Sequence, residues 1–263
     1  MEILSKAWQT DLALREASGS EIEDHGTCVL VRTPDNPAYR WGNFLLLRRA
    51  PLRRDLPAWE QVFDDAFPES EHRAFGVDDP EGRLEDLRVF ANAGYRVELS
   101  RALTATRLQP GRPPAVDAAC RQLETDEDWE QRVALSLVVD RDTFGAGFED
   151  FVRRKAAAER ALARSGAGEW FGAFVGDEMV SGLGIFATGE GRPARFQDVM
   201  THPDWRRRGL ASTLVLHAGR YAFESLGAES LVIVADPTHP AYRVYQAVGF
   251  EPTEAQLGAT LVS

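Results

Sequence analysis

The chain has 263 residues, 30 Lys and Arg against 41 Asp and Glu, a net charge of −11 and 44% apolar residues. Such a length and composition provide for one large or two small globular domains with a full core. They contain no apolar run near the roughly 20 residues of a membrane helix, and they lack the basic footprint of generic nucleic-acid binding. The two cysteines, Cys28 and Cys120, make neither a disulfide framework nor a thiolate metal site. The opening Met1-Glu2 carries no secretory signature, so a reducing, cytoplasmic setting is the expectation.

In chain order, Thr27 to Val31 and Phe44 to Leu47 read as strands. The aromatic and polar segment Asn36 to Asn43 between them reads as a structural turn. Trp59, Val62, Phe63 and Phe67 recur at helical spacing up to Pro68. Leu84, Leu87, Val89 and Phe90 mark a further helix stopped by Gly94, and Tyr95 to Leu99 alternates as a strand. Gln109-Pro110-Gly111-Arg112-Pro113-Pro114 is the strongest breaker cluster and marks a boundary. Beyond it, Trp129 to Leu137 and Phe148 to Ala163 read as helices. Phe171 to Val175 and Met179 to Ala187 flank a Gly176-Asp177-Glu178 turn as strands, and Phe196 to Thr201 is another. In Gly209 to Leu226, a stripe of Leu210, Leu214, Ala218, Tyr221 and Ala222 predicts a helix ended by Gly227. Leu231 to Ala235 is an unbroken apolar strand, and Ala241 to Val248 a short helix stopped by Gly249. Strand 196–201, helix 209–226 and strand 231–235 make a βαβ unit, right-handed by rule.

The junction Thr201-His202-Pro203-Asp204-Trp205-Arg206-Arg207-Arg208-Gly209-Leu210-Ala211 opens that helix. A helix N-terminus presents unpaired N–H groups and partial positive charge to an anion. Gly209 and Ala211 admit close approach, and the arginines add charge-assisted donors. Arg206, Gly209 and Ala211 resemble the pyrophosphate-binding motif of the GCN5-related N-acetyltransferases (GNAT). Ala241-Tyr242-Arg243-Val244-Tyr245-Gln246-Ala247-Val248-Gly249-Phe250 resembles the family's following motif, with strand 231–235 in between. The resemblance covers residues 120–263. It implies an α/β (α+β) fold with a mixed, mostly antiparallel sheet flanked by helices. It also implies acetyl-CoA as co-substrate and a small-molecule or peptide amine as acceptor.

On that resemblance the backbone of Val199 and Thr201 holds the pantetheine arm. Arg206, Arg207, Arg208, Gly209, Leu210, Ala211 and Ser212 surround the pyrophosphate, and Tyr245 protonates the departing thiolate. Thr238 stands where the family often has an Asn that contacts the cofactor arm, and its hydroxyl replaces part of that bonding. Asp198 is the sole carboxylate of strand 196–201, and strand parity points it away from the face of Gln197 and Val199. It is therefore expected at a packing or surface position. The general base is unassigned, with water as relay.

The first part of the chain repeats the second. Arg88-Val89-Phe90-Ala91-Asn92-Ala93-Gly94-Tyr95 parallels residues 243–250, and the run from Leu45 to Leu56 parallels that from Val199 to Leu210 at nearly the same offset. Asp55 replaces Gly209 and Phe90 replaces Tyr245, which removes the anion cradle and the proton donor. The expected organisation is two GNAT-like domains in tandem. Residues 1–108 form a truncated, non-catalytic copy, 109–119 a linker, and 120–263 the catalytic domain. A non-catalytic acyl-CoA-binding or regulatory protein of the same fold is the alternative. Gly182-Leu183-Gly184-Ile185-Phe186-Ala187 matches a dinucleotide pattern but lies within a strand, and the five histidines have no metal-ligand spacing.

Overall fold

The computed structural model describes residues 1–111, 113–140, 147–188 and 193–262. Its elements run α1 (Lys6–Ala17), β1 (Glu21–Asp24), β2 (Cys28–Arg32), β3 (Phe44–Leu47), α2 (Leu56–Ala66), β4 (His72–Val77), α3 (Arg88–Asn92) and β5 (Arg96–Ala105). There follow β6 (Ala119–Gln122), α4 (Asp126–Val139), α5 (Phe148–Arg164), β7 (Gly168–Val175), β8 (Glu178–Ala187) and β9 (Pro193–Thr201). The chain continues through α6 (Leu210–Glu224), β10 (Ser230–Ala235), α7 (Pro240–Ala247) and β11 (Glu251–Val262). Two compact units form. Met1–Ala102, Val234–Pro237 and Thr253–Ser263 make the first, and Leu103–Ile233 with Thr238–Pro252 the second.

In the first unit, β1 pairs antiparallel with β2, β2 antiparallel with β3, β3 parallel with β4, and β4 antiparallel with β11. The apolar run Phe44–Leu47 is buried on both faces, and period-two alternation divides its side chains between two cores. Leu45 and Leu47 join Phe63 of α2, Phe75, Phe90 of α3 and Leu257 of β11. Phe44 and Leu46 join Trp8 and Leu12 of α1 on the other side. The segment 36–43 is a structural turn, as expected. Buried Asn43 donates from Nδ2 to the carbonyls of Asn36 at 3.0 Å and Tyr39 at 2.9 Å.

The second unit orders its strands β6-β7-β8-β9-β10, antiparallel except for the parallel pair β9 and β10. Helix α6 connects that pair and buries Leu210, Leu214, Val215, Ala218 and Ala222. Helix α4 begins on a capping box. The Thr125 hydroxyl accepts from the Asp128 N–H, and the Asp128 carboxylate accepts from the Thr125 N–H. Arg121 beside Asp128 holds that carboxyl well below the usual range.

The repeat is visible in the folds of the two units. The order β3-α2-β4-α3, with its parallel strand pair, matches β9-α6-β10-α7. Two features depart from the division expected at 109–119. That segment lies within the second unit, and β11, assigned with residues 120–263, pairs with β4 in the sheet of the first. Hydrophobic alternation identifies a strand but not the neighbour it will pair with.

Candidate functional site

The site grows from β9. Its pairing with β10 is limited to Pro193–Arg195 against Ser230–Val232. From Phe196 to Thr201 it keeps β8 on one side and, among the described residues, has no paired strand on the other. An unpaired strand edge offers N–H and C=O groups to an extended ligand. Val199 and Thr201 lie on this stretch, and the Thr201 hydroxyl is 2.9 Å from that of buried Ser181. The β8–β9 ladder slips within it. Gln197 pairs with Gly184 and Met200 with Gly182, so Asp198 and Val199 together oppose Leu183, a β-bulge. Asp198 there has φ +43°, in the left-handed region.

The loop after β9 turns left-handed twice, at Arg207 (φ +63°) and Gly209 (φ +82°). Alternating left-handed residues ahead of a helix turn successive N–H groups inward as an anion-binding concavity. Gly209 is the N-cap of α6, whose start has neither a side-chain cap nor an acidic residue in its first turn. The first N–H groups of this helix thus remain directed outward with the positive end of its dipole. Arg206 Nε donates to the Thr201 carbonyl at 3.2 Å. Arg208 donates to the Asp204 carbonyl at 3.1 Å and stacks over Trp205 at 4.6 Å. Ser212 and Thr213 hydroxyls both donate to the Gly209 carbonyl. Across the loop, the Ala115 N–H donates to the Arg208 carbonyl at 2.8 Å. A Cβ at Gly209 would stand 3.1 Å from Pro114 Cα. Close packing and positive φ both demand glycine at 209.

Tyr245 projects inward from α7 and is 4% exposed. Its ring meets Phe250 edge-on at 6.4 Å, and Phe250 meets Phe196 of β9 at 5.8 Å. Burial pushes the Tyr245 phenol well above its ordinary value, so it is protonated at neutral pH. Thr238 is exposed in the turn between β10 and α7. The structure thus places Val199, Thr201 and Arg206 to Ser212 on one continuous strand–loop–helix path. Tyr245 reaches the same strand through Phe250.

A buried charge cluster completes the region. Arg132 of α4 is among the largest fully buried side chains and lies 4.6 Å over the Trp170 ring. It donates to Glu159 of α5 at 2.5 Å and lies 3.4 Å from Asp198. Lys155 of α5 pairs with Asp198 and stands 3.5 Å from Glu159. Burial raises the Glu159 carboxyl against the pull of Arg132 and Lys155. Half-buried Asp140, at the end of α4, is raised by burial and by the Asp198 charge. The sequence reading missed this cluster. Its parity argument for Asp198 assumed a regular strand, and the bulge breaks that alternation, bringing the carboxylate to two cations. The one legible sign was the i, i+4 spacing of Lys155 and Glu159.

In this α/β unit a strand edge leads into a glycine-turned helix N-terminus. Residues 133–250 match the model of the Acetyltransferase (GNAT) family. Among solved structures, the chain is similar to a functionally unknown conserved protein from Staphylococcus epidermidis, with a TM-score of 0.70 at 14% identity over 93% of this chain and 94% of that one. It is also similar to a GCN5-related N-acetyltransferase from Kribbella flavida, with a TM-score of 0.61 at 16% identity over 95% of each chain. A tandem GNAT protein from the clavulanic acid biosynthesis pathway matches with a TM-score of 0.56 at 13% identity, over 93% of this chain and 83% of that one. These likenesses cover both units and show the fold. No match is found among curated proteins.

Proposed function

We propose that the second unit is an acetyl-CoA-dependent N-acetyltransferase that moves an acetyl group to an amine of a small molecule or peptide. The observation that carries this reading is the uncapped N-terminus of α6, opened by left-handed Gly209 at the end of the free edge of β9. The residues fit the co-substrate. The edge at Val199 and Thr201 offers strand-like hydrogen bonds to a pantetheine arm. The amides from Arg207 to Ser212 cradle the pyrophosphate, with the arginines adding charge. In this reading the hydroxyl of Thr238, exposed in the turn before α7, bonds the cofactor arm.

Acetyl-CoA supplies the acetyl thioester, which the amine attacks directly; the C–N bond forms and the C–S bond breaks. Tyr245 donates its phenolic proton to the departing sulfur. The proton of the amine leaves through water. The first unit is non-catalytic in this reading. Asp55 is right-handed (φ −95°) where Gly209 is left-handed, and Phe90 is a core side chain packed 5.2 Å from Phe75.

The test is thermal unfolding with and without acetyl-CoA. A ligand selective for the native state stabilises it by about 2.7 kcal/mol at one hundred times its dissociation constant. The expected result is a clear shift for wild type and none for Gly209→Asp. No shift of the wild type at millimolar acetyl-CoA would refute the proposal. Binding without turnover across a broad amine panel would convert the reading to an acyl-CoA-binding protein.

A further inference from the structure

Asp198 is an exception within its own strand. A residue with a Cβ is disfavoured at φ +43°, and glycine is the residue that takes this conformation freely. What aspartate adds in exchange for the strain is a carboxylate, and two cations, buried Arg132 and partly buried Lys155, converge on it. Lys155 pairs with it from α5, and Arg132 approaches to 3.4 Å from α4. Neither cation is loosely held. Arg132 is fixed over Trp170 and by Glu159 at 2.5 Å, and Lys155 is held near the same Glu159 at 3.5 Å. Asp140 also faces Asp198, whose charge helps to raise its carboxyl. Strained backbone at a non-glycine residue persists where the surroundings over-determine it, and here the surroundings are ion pairs.

We propose that Arg132 and Lys155 act as a clamp that keeps Asp198 left-handed and so keeps the β9 bulge in place. The bulge sets the phase of the strand beyond it. Removing one extra residue from a ladder turns every following group to the opposite side. The clamp thereby decides which N–H and C=O groups of Val199 to Thr201 face the free edge. Asp198 is a positioning residue that acts through its own backbone on Val199 and Thr201, and its carboxylate is committed to the two cations. This inference rests on the acyl-CoA reading above, because its consequence is the affinity of that edge for the pantetheine arm.

The experiment measures acetyl-CoA affinity by calorimetry, beside the unfolding midpoint of the unliganded protein. The variants are Asp198→Ala, Asp198→Gly, Lys155→Met and the double variant Lys155→Met/Asp198→Gly. Alanine retains the conformational cost and loses the clamp, so affinity falls by about tenfold or more. Glycine needs no clamp, so Asp198→Gly binds within a few-fold of wild type. Lys155→Met weakens binding alone and has no further effect on affinity in the glycine background. This rescue by glycine is a result that mere loss of stability cannot produce. If Asp198→Ala fails to fold, the comparison of Lys155→Met with the double variant decides. Wild-type affinity in Asp198→Ala or Lys155→Met overturns the clamp. Asp198→Gly as weak as Asp198→Ala also overturns it, by showing that the carboxylate acts directly. A wild-type chain that binds no acetyl-CoA refutes the acyl-CoA reading itself.

Discussion

Replacing Arg132 by Met keeps the length of the side chain and removes its charge. Arg132 is 1% exposed and bonds Glu159 at 2.5 Å, so the substitution leaves a buried carboxylate with Lys155 as its remaining cationic neighbour among the described residues. Breaking a buried ion pair from one side costs about 3–5 kcal/mol. In a chain of this size each kcal/mol moves the midpoint by about 2–4 °C, so the expected loss is about 6–20 °C at neutral pH. The loss depends on pH in a defined sense. The Glu159 carboxyl is raised above its ordinary 4.5, chiefly by burial, with Arg132 pulling it down. Without Arg132 it rises further. For an acid raised in the folded state, the stabilising contribution is present below the unfolded value and lost as pH climbs through the folded one. The deficit of Arg132→Met is therefore small near pH 4.5 and grows toward pH 7.5. Urea and thermal unfolding of wild type, Arg132→Met, Glu159→Gln and the double variant at both pH values test this. The double variant, lacking the orphaned charge, should recover part of the loss. A cost under about 1 kcal/mol at pH 7.5, or a deficit that shrinks as pH rises, would refute the reasoning.

Three further outcomes are expected. Tyr245→Phe leaves acetyl-CoA affinity unchanged and lowers kcat by about a hundredfold or more, read with any amine that supports turnover; an unchanged kcat removes Tyr245 from the proton path. Leu257→Ala, in the core shared by Phe63, Phe75 and Phe90, destabilises the first unit by about 2–5 kcal/mol in urea unfolding, and a loss under 1 kcal/mol would contradict the placement of β11. Buried His72 donates from Nε2 to the Asn43 carbonyl at 3.2 Å, and burial lowers its pKa below the ordinary 6.5. Its contribution is present above pH 6.5 and lost as pH falls through the lowered value. The first unit should weaken between pH 7 and 5 more in wild type than in His72→Gln, and equal slopes would contradict this.

The parts of the fold written in local patterns were legible in the sequence. The stripe from Leu210 to Ala222, the unbroken Leu231 to Ala235 and the glycine at 209 each state their structure within a dozen residues, and α6, β10 and the N-cap follow them. What was hidden depends on distant partners. Asp198 was assigned by parity to a packing or surface position, and a single extra residue in the ladder redirected it. Arg132 and Lys155 are ordinary helix cations until the sheet lies beneath them. Strand β11 alternates through small residues, with Ala255, Leu257 and Ala259 buried, a weak signal on its own. Its pairing with β4, some 180 positions away, is set by the tertiary fold.

That pairing reverses the usual order of assembly on the ribosome. Synthesis delivers His72–Val77 early, yet its edge away from β3 is paired by Leu257–Val262. The amino-terminal unit therefore cannot finish its sheet as it emerges, and must wait for nearly two hundred further residues of translation. During that interval the edge of β4, in the apolar setting of Phe75 and Val77, is open to wrong partners. A nascent chain that stalls or is cut before residue 257 leaves the first-made half incomplete while the second-made half has all its own strands. Damage at one end of the message is thus read out as instability at the other end of the protein.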